Sequence, residues 1–218
     1  MKICTLCPRM CAVDRKSGER GICGQTTEIK VARAALHFWE EPCISGEMGS
    51  GAVFFSGCAL HCVFCQNENI ANGTAGKVIS TERLGEIFLE LQEKGANNIN
   101  LVTPGQFVPQ IIKAVELARN QNLKIPIVYN TSSYENVDTI RSLEGIVDIY
   151  LPDFKYFDTA LSAKYSHAPD YPAVAKAVIA EMVRQTGAAV FENGEDSLMK
   201  RGTIVRHLIL PGCTKDSK

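Results

Sequence analysis

The chain carries almost no net charge. Its 23 Lys and Arg against 24 Asp and Glu leave a formal −1, which argues against nucleic acid as the main partner. It has no apolar run long enough to cross a bilayer. No extended apolar stretch follows the opening Met-Lys-Ile-Cys-Thr, so no secretory signal is expected either. Internal repeats beyond a β/α unit, low-complexity tracts and flexible linkers are also missing. A hydrophobic fraction of 45% with 22% charged residues over 218 residues excludes disorder and suffices for one large domain, or one and a half average ones. What the chain has in quantity is cysteine, nine in all. An odd count with no leader argues against a disulfide framework. It points instead to thiols kept reduced in the cytoplasm as metal ligands.

The cysteines are bunched. Cys58, Cys62 and Cys65 fall in Gly57-Cys58-Ala59-Leu60-His61-Cys62-Val63-Phe64-Cys65-Gln66-Asn67, a C-x3-C-x2-C pattern. Thiolates three or four residues apart on a tight loop can converge on one small inorganic object. Three are too few to close a tetrahedral zinc site and the right number for a cubane 4Fe–4S cluster with one iron left uncovered. The alternative is three buried cysteines with no metal. A second bunch, Cys4, Cys7, Cys11 and Cys23, is interspersed with the turn formers Pro8, Gly18, Gly21 and Gly24. A structural zinc, a second iron–sulfur cluster and an idle cysteine-rich lead-in all fit this group, since thiolate softness does not separate zinc from iron–sulfur. Cys43 and Cys213 stand alone and read as small packed residues.

Past residue 50, strands and helices alternate, which predicts a parallel sheet with helical crossovers. Residues 51–56 read as a buried strand that delivers the Cys58 loop at its C-terminal end. Ser80 caps a helix whose apolar positions Leu84, Ile87, Phe88 and Leu91 follow the helical period, and Gly95 ends it. The second strand covers 98–103, stopped by Pro104-Gly105, and a helix with Val108, Ile111, Ile112 and Val115 follows. The third strand is 125–130. A short helix holds Val137 and Ile140. The fourth strand runs from 146 to 151 and is broken by Pro152. A longer helix carries Val174, Val178 and Met182, and the fifth strand covers 203–210. Five such units fit an open, partial (β/α) barrel, in which ligand sites gather at the C-terminal strand ends.

The C-x3-C-x2-C spacing, with aromatic Phe64 before the last cysteine, resembles the signature of the radical S-adenosylmethionine (SAM) superfamily. The longer string from Phe54-Phe55-Ser56-Gly57-Cys58 to Cys65-Gln66-Asn67 looks like a branch of uncharacterised proteins similar to pyruvate formate-lyase activating enzyme. The likeness covers essentially the whole chain. It implies a cytoplasmic enzyme that reductively cleaves SAM to a 5′-deoxyadenosyl radical for hydrogen abstraction. It also implies a flavodoxin or ferredoxin as reductant and a glycyl-radical protein, a small molecule or another protein as substrate. The fold implied is a radical SAM partial barrel over 46–218, behind a cysteine-rich extension at 1–45.

The resemblance suggests further roles. Phe64 is similar to the family's adenine contact; loop packing is the alternative. Thr103-Pro104-Gly105-Gln106 stands where many members place Gly-Gly-Glu to hold the SAM amino group, so Thr103, Gln106 or backbone carbonyls take that role. Asn130, in Tyr129-Asn130-Thr131-Ser132, resembles part of the activating enzymes' Thr-Asn-Gly segment. Asp153 and Lys155 resemble their Asp-x-Lys motif, with the lysine near the SAM carboxylate, against the alternative of a solvated ion pair. Arg206 resembles part of a Val-Arg segment, as a SAM contact or a packed arginine. His37, Trp39, Glu40 and Glu41 recur in resembling sequences without an evident role, and His167 reads as an exposed turn. Resembling proteins continue past the fifth strand, so a truncated barrel is expected, with an open edge or an oligomer that covers it. Two other classes compete: an iron–sulfur electron-transfer or storage scaffold without SAM chemistry, and a zinc-stabilised interaction module.

Overall fold

A computed structural model describes residues 3–193 and 197–217. In chain order its elements begin with β1 (Ile29–His37), α1 (Pro42–Ser45), β2 (Ser50–Phe55), α2 (Glu68–Ala71) and β3 (Lys77–Ile79). They continue through α3 (Thr81–Glu93), β4 (Ile99–Val102), α4 (Val108–Asn120), β5 (Ile127–Thr131), α5 (Val137–Arg141) and β6 (Ile149–Phe154). The last are α6 (Thr159–Ser166), α7 (Tyr171–Thr186), β7 (Val190–Phe191), β8 (Met199–Thr203) and β9 (Arg206–His207).

The sheet runs β3-β1-β2-β4-β5-β6-β8-β7, with β9 pairing β6 beyond the end of β8. From β2 to β8 each neighbouring pair is parallel. The flanking pairs β1–β2, β1–β3 and β7–β8 are antiparallel. The sheet does not close, and the architecture is the expected open (β/α) barrel.

The helical crossovers form because their apolar residues repeat at the helical period and share one face. Ser80 accepts the Arg83 N–H at 3.1 Å, satisfying one of the donors that every helix start leaves open. Leu84, Ile87, Phe88 and Leu91 of α3 then meet Ile111, Ala114, Val115 and Ala118 of α4. Along the strands the side chains alternate. Val53, Phe55, Leu101, Tyr129 and Tyr150 join the helix-side core, whereas Val128, Ile149 and Leu151 pack on the other face with Ile44 and Met199. Among the described residues no helix is long and apolar enough to cross a membrane.

Three local readings are corrected. Pro152 does not break the fourth strand. It pairs with Thr131 inside β6 and lies between the stretch joined to β8 and the stretch joined to β9. The ladder on that side is interrupted there, so a missing N–H is tolerated. The expected fifth strand at 203–210 is instead β8 at 199–203 followed by the two-residue β9. Val205, Leu208 and Ile209, which look like strand core in sequence, are exposed. The edge of β8 is not open, because the short β7 turns back and pairs with it. A strand not anticipated from sequence, β1, carries the N-terminal segment into the sheet.

The Phe88 side chain is completely buried at the centre of the helix–sheet interface. Phe88→Ala should lower the unfolding free energy by about 3–5 kcal/mol, read as a shift of the urea midpoint at unchanged slope.

Candidate functional site

The loop after β2 leaves the sheet through Ser56 and Gly57. Gly57 has φ +87, and a Cβ there would stand 2.4 Å from the Cys23 carbonyl oxygen and 2.6 Å from Gln25 Cγ. Only glycine fits, both in backbone conformation and in space. Beyond it, Leu60 is fully buried among Tyr134, Tyr156 and Tyr171. The Cys65 N–H bonds to the Cys62 carbonyl at 3.1 Å and the Val63 N–H to the Tyr165 carbonyl at 2.9 Å.

Arg9, from the N-terminal segment, fastens the loop from outside. Its guanidinium donates to the carbonyls of Ala59 (2.8 Å), His167 (2.5 Å) and Ser166 (2.9 Å) and stacks over the Tyr134 ring. His167 is an exposed helix cap in the left-handed conformation, as its turn sequence suggested.

Cys58, Cys62 and Cys65 line one cleft of about 500 Å³ at the C-terminal ends of the parallel strands. The same cleft is lined by Phe64, Thr103, Asn130, Asp153, Lys155 and Arg206. Six residues expected around SAM therefore come from four strand ends and one loop to the cleft that holds the three thiols.

Asp153 is the hub of the polar wall. Its Oδ2 accepts from Lys155 Nζ at 2.6 Å and its Oδ1 from Arg206 Nε at 2.8 Å. Arg206 Nη2 donates to Asn130 Oδ1 at 2.7 Å, and Nη1 lies 3.5 Å from Glu40 and 3.7 Å from Glu41. Arg206 is thus a packed, hydrogen-bonded arginine. The Asp153–Lys155 pair is only 17–20% exposed, so it is not the solvated pair that sequence left open. Glu40 gains its role here: burial raises its carboxyl above the usual range while Arg206 pulls the other way. Phe64 is 37% exposed and edges against Tyr156 and Tyr165, which leaves part of its ring facing the cleft.

Thr103 has φ +55, a conformation unusual for a β-branched residue, and its N–H bonds to the Asn130 carbonyl at 2.9 Å. Gln106 does not line this cleft. Its Nε2 lies within hydrogen-bond distance of the carbonyls of Ser56 (2.9 Å), Gly57 (3.0 Å) and Thr103 (2.9 Å), so it ties the ends of β2 and β4 together from behind. Sequence missed Arg33, His37, Glu40 and Leu208 as cleft residues. The only signal was the unexplained His37–Glu41 segment.

The donor set fits an iron–sulfur cluster. The Cys58 thiol is pushed up to about 11, chiefly by burial and against the pull of the His61 and Leu60 N–H groups. Burial raises Cys62 too, opposed by the Ser166 hydroxyl, which donates to its sulfur at 3.1 Å, and by Lys155. Thiols so placed stay neutral until a metal takes the place of the proton. Among the described residues no three His, Cys, Asp or Glu side chains gather on a single ion. A cubane instead needs its thiolates spread around it. Cys43 packs against the Ile44 cluster, as a small core residue would.

Behind the loop a second, smaller cavity is lined by Cys4, Cys7, Cys23, Cys58, Arg15, Gln106 and Glu135, among others. Burial pushes the Glu135 carboxyl up to about 7 although Thr131 and Tyr129 donate to it.

The family model described as the radical SAM superfamily matches residues 52–189, well over half of the chain. The chain is also 27% identical, over 217 residues, to an uncharacterised protein of Methanocaldococcus jannaschii, covering 96% of this chain and 57% of that protein. It therefore spans little more than half the length of that relative.

Gly57→Ala should force the cysteine loop off the Cys23 carbonyl and so cost stability, of order 1–3 kcal/mol. Thermal unfolding checks the stability, and iron bound per chain after anaerobic reconstitution, expected to fall in parallel, checks the loop.

Proposed function

Because the chain belongs to the radical SAM superfamily, we propose that it holds one 4Fe–4S cluster through Cys58, Cys62 and Cys65 and cleaves SAM reductively. When bound, such a cluster supplies the electron that splits SAM into methionine and a 5′-deoxyadenosyl radical able to abstract hydrogen. The observation that carries the reading is the single cleft that combines three thiols on one loop with Lys155, Asp153, Asn130, Thr103 and Phe64.

The protein's own part is to bind and orient. Lys155 offers an ammonium to the SAM carboxylate. Asp153, held by both Lys155 and Arg206, fixes the direction of that ammonium. Thr103 turns its backbone and hydroxyl toward the SAM amino group, and the Phe64 ring takes the adenine. Arg206 acts through Asp153 and Asn130 rather than by touching SAM. Gln106 positions the loop.

The electron donor is a low-potential carrier of the flavodoxin or ferredoxin class. The resemblance to activating enzymes favours a glycyl-radical protein as the substrate. In the activating enzymes the aspartate that Asp153 resembles lies at the mouth of the substrate channel, and Asp153 lines the cleft here. As in resembling proteins, the reaction belongs to the cytoplasm.

The test is anaerobic incubation of the reconstituted, dithionite-reduced protein with SAM, followed by chromatography for 5′-deoxyadenosine. The product is expected from the native chain and not from Cys62→Ala. Its absence from the native, cluster-loaded chain would overturn the proposal. Lys155→Met removes one charge-assisted contact while Asp153 keeps Arg206. It should therefore raise the KM for SAM about 10- to 100-fold at unchanged iron content.

A further inference from the structure

The N-terminal cysteines take no part in the reading above, yet they are not scattered by folding. Cys4, Cys7 and Cys23 line one cavity with Cys58, directly behind the cluster loop. Cys11 is an electrostatic neighbour of both Cys7 and Cys23, and a Cβ on Gly21 would stand 2.9 Å from its sulfur, so the backbone passes close over it. Every one of the four sulfurs faces an N–H. Cys7 receives the backbone N–H of Arg9 and Cys23 that of Gln25, each two residues further on. Cys11 receives the Ile22 N–H at 3.3 Å, and Cys4 faces Arg15 Nη1 at 3.9 Å. Donors aimed at all four sulfurs are what bound thiolates require, and hydrogen bonds to sulfur are the means by which a protein tunes an iron–sulfur centre. None of the four is in a disulfide.

We propose that Cys4, Cys7, Cys11 and Cys23 bind an iron–sulfur cluster, a second redox centre set against the back of the Cys58 loop. Structural zinc fits the position less well, because the fastening such an ion would provide is already made. Arg9 bonds the loop carbonyls. Arg15, though buried, is satisfied by the carbonyls of Gln25, Thr26 and Gln106. A redox-inert ion would add little to that, whereas a cluster sharing a wall with Cys58 stands next to the centre that needs electrons. The proposal goes beyond the preceding reading, and its readout does not depend on SAM cleavage.

The experiment uses the full chain, reconstituted anaerobically with iron and sulfide, in three variants. Cys58→Ala/Cys62→Ala/Cys65→Ala should keep equal amounts of iron and sulfide, about two to four of each per chain. After dithionite reduction it should also show a paramagnetic resonance signal. Cys4→Ser/Cys7→Ser should lose that same share of iron and that signal component, with its far-ultraviolet dichroism unchanged. Cys43→Ser/Cys213→Ser should keep both. A folded triple variant that holds zinc, or no metal, overturns the proposal. Should the triple variant fail to fold, the native chain decides: iron and signal identical to those of Cys4→Ser/Cys7→Ser would equally overturn it. Failure of SAM cleavage with the second iron share intact would sink the preceding proposal and leave this one standing.

Discussion

The geometry of the site depends on the side-chain amide of Gln106. Two parallel strands end side by side at β2 and β4, and the carbonyls beyond their last ladder bonds point into a space closed to water. Gln106 places one side-chain nitrogen against the carbonyls of Ser56, Gly57 and Thr103, and its main-chain carbonyl accepts from Arg15. A buried amide or carbonyl without a partner is costly. These groups therefore constrain one another. The cysteine loop can leave β2 in one direction only, Thr103 is held in a left-handed turn, and the N-terminal segment is drawn in behind both. Gly57 is the steric counterpart of this constraint, since no side chain fits between the loop and the Cys23 carbonyl.

The opposite wall of the cleft is organised by charge. Asp153 lies between two cations, and Arg206 lies between Asp153 and the carboxylates of Glu40 and Glu41. Removing charges from water is expensive, and such a network persists only when nearly every group has a partner. The consequence for function is orientation. Lys155 and Asn130 are each tied to a neighbour whose position is set by another strand, so a ligand meets a preformed wall rather than mobile side chains. Both walls converge on Cys58, Cys62 and Cys65, and burial raises the Cys58 and Cys62 thiols, so metal binding is the natural way to ionise those two.

Much of this was legible in the sequence, element by element. The helical period of Leu84, Ile87, Phe88 and Leu91, and that of the α4 residues, is a local property that packing only confirms. The C-x3-C-x2-C loop announces its chemistry for a similar reason, because three thiols within eight residues of one loop line one cleft. Reading failed where pairing partners decide. The stretch Val31-Ala32-Arg33-Ala34-Ala35-Leu36 has weak strand propensity and becomes β1 because β2 and β3 offer it two edges. Pro152 looked like a strand end and is tolerated in a gap of the ladder. The stretch from Thr203 to Leu210 looked like a core strand, yet several of its apolar residues face solvent.

The sequence alone settled which residues can do chemistry and in what order they arrive: a cysteine loop after the first parallel strand, then polar groups at the following strand ends. These are matters of residue type and short spacing, and short-range sterics enforce them. Only the tertiary structure decided which of those groups share a cleft. It moved Gln106 from the ligand wall to a supporting place and tied Arg206 to Asp153, Asn130, Glu40 and Glu41. It brought Glu40 in from the far side of the sheet and set the N-terminal thiols against Cys58. Such juxtapositions join residues tens to more than a hundred positions apart. They follow from strand order and from the need to satisfy every buried polar group at once, which no local pattern encodes.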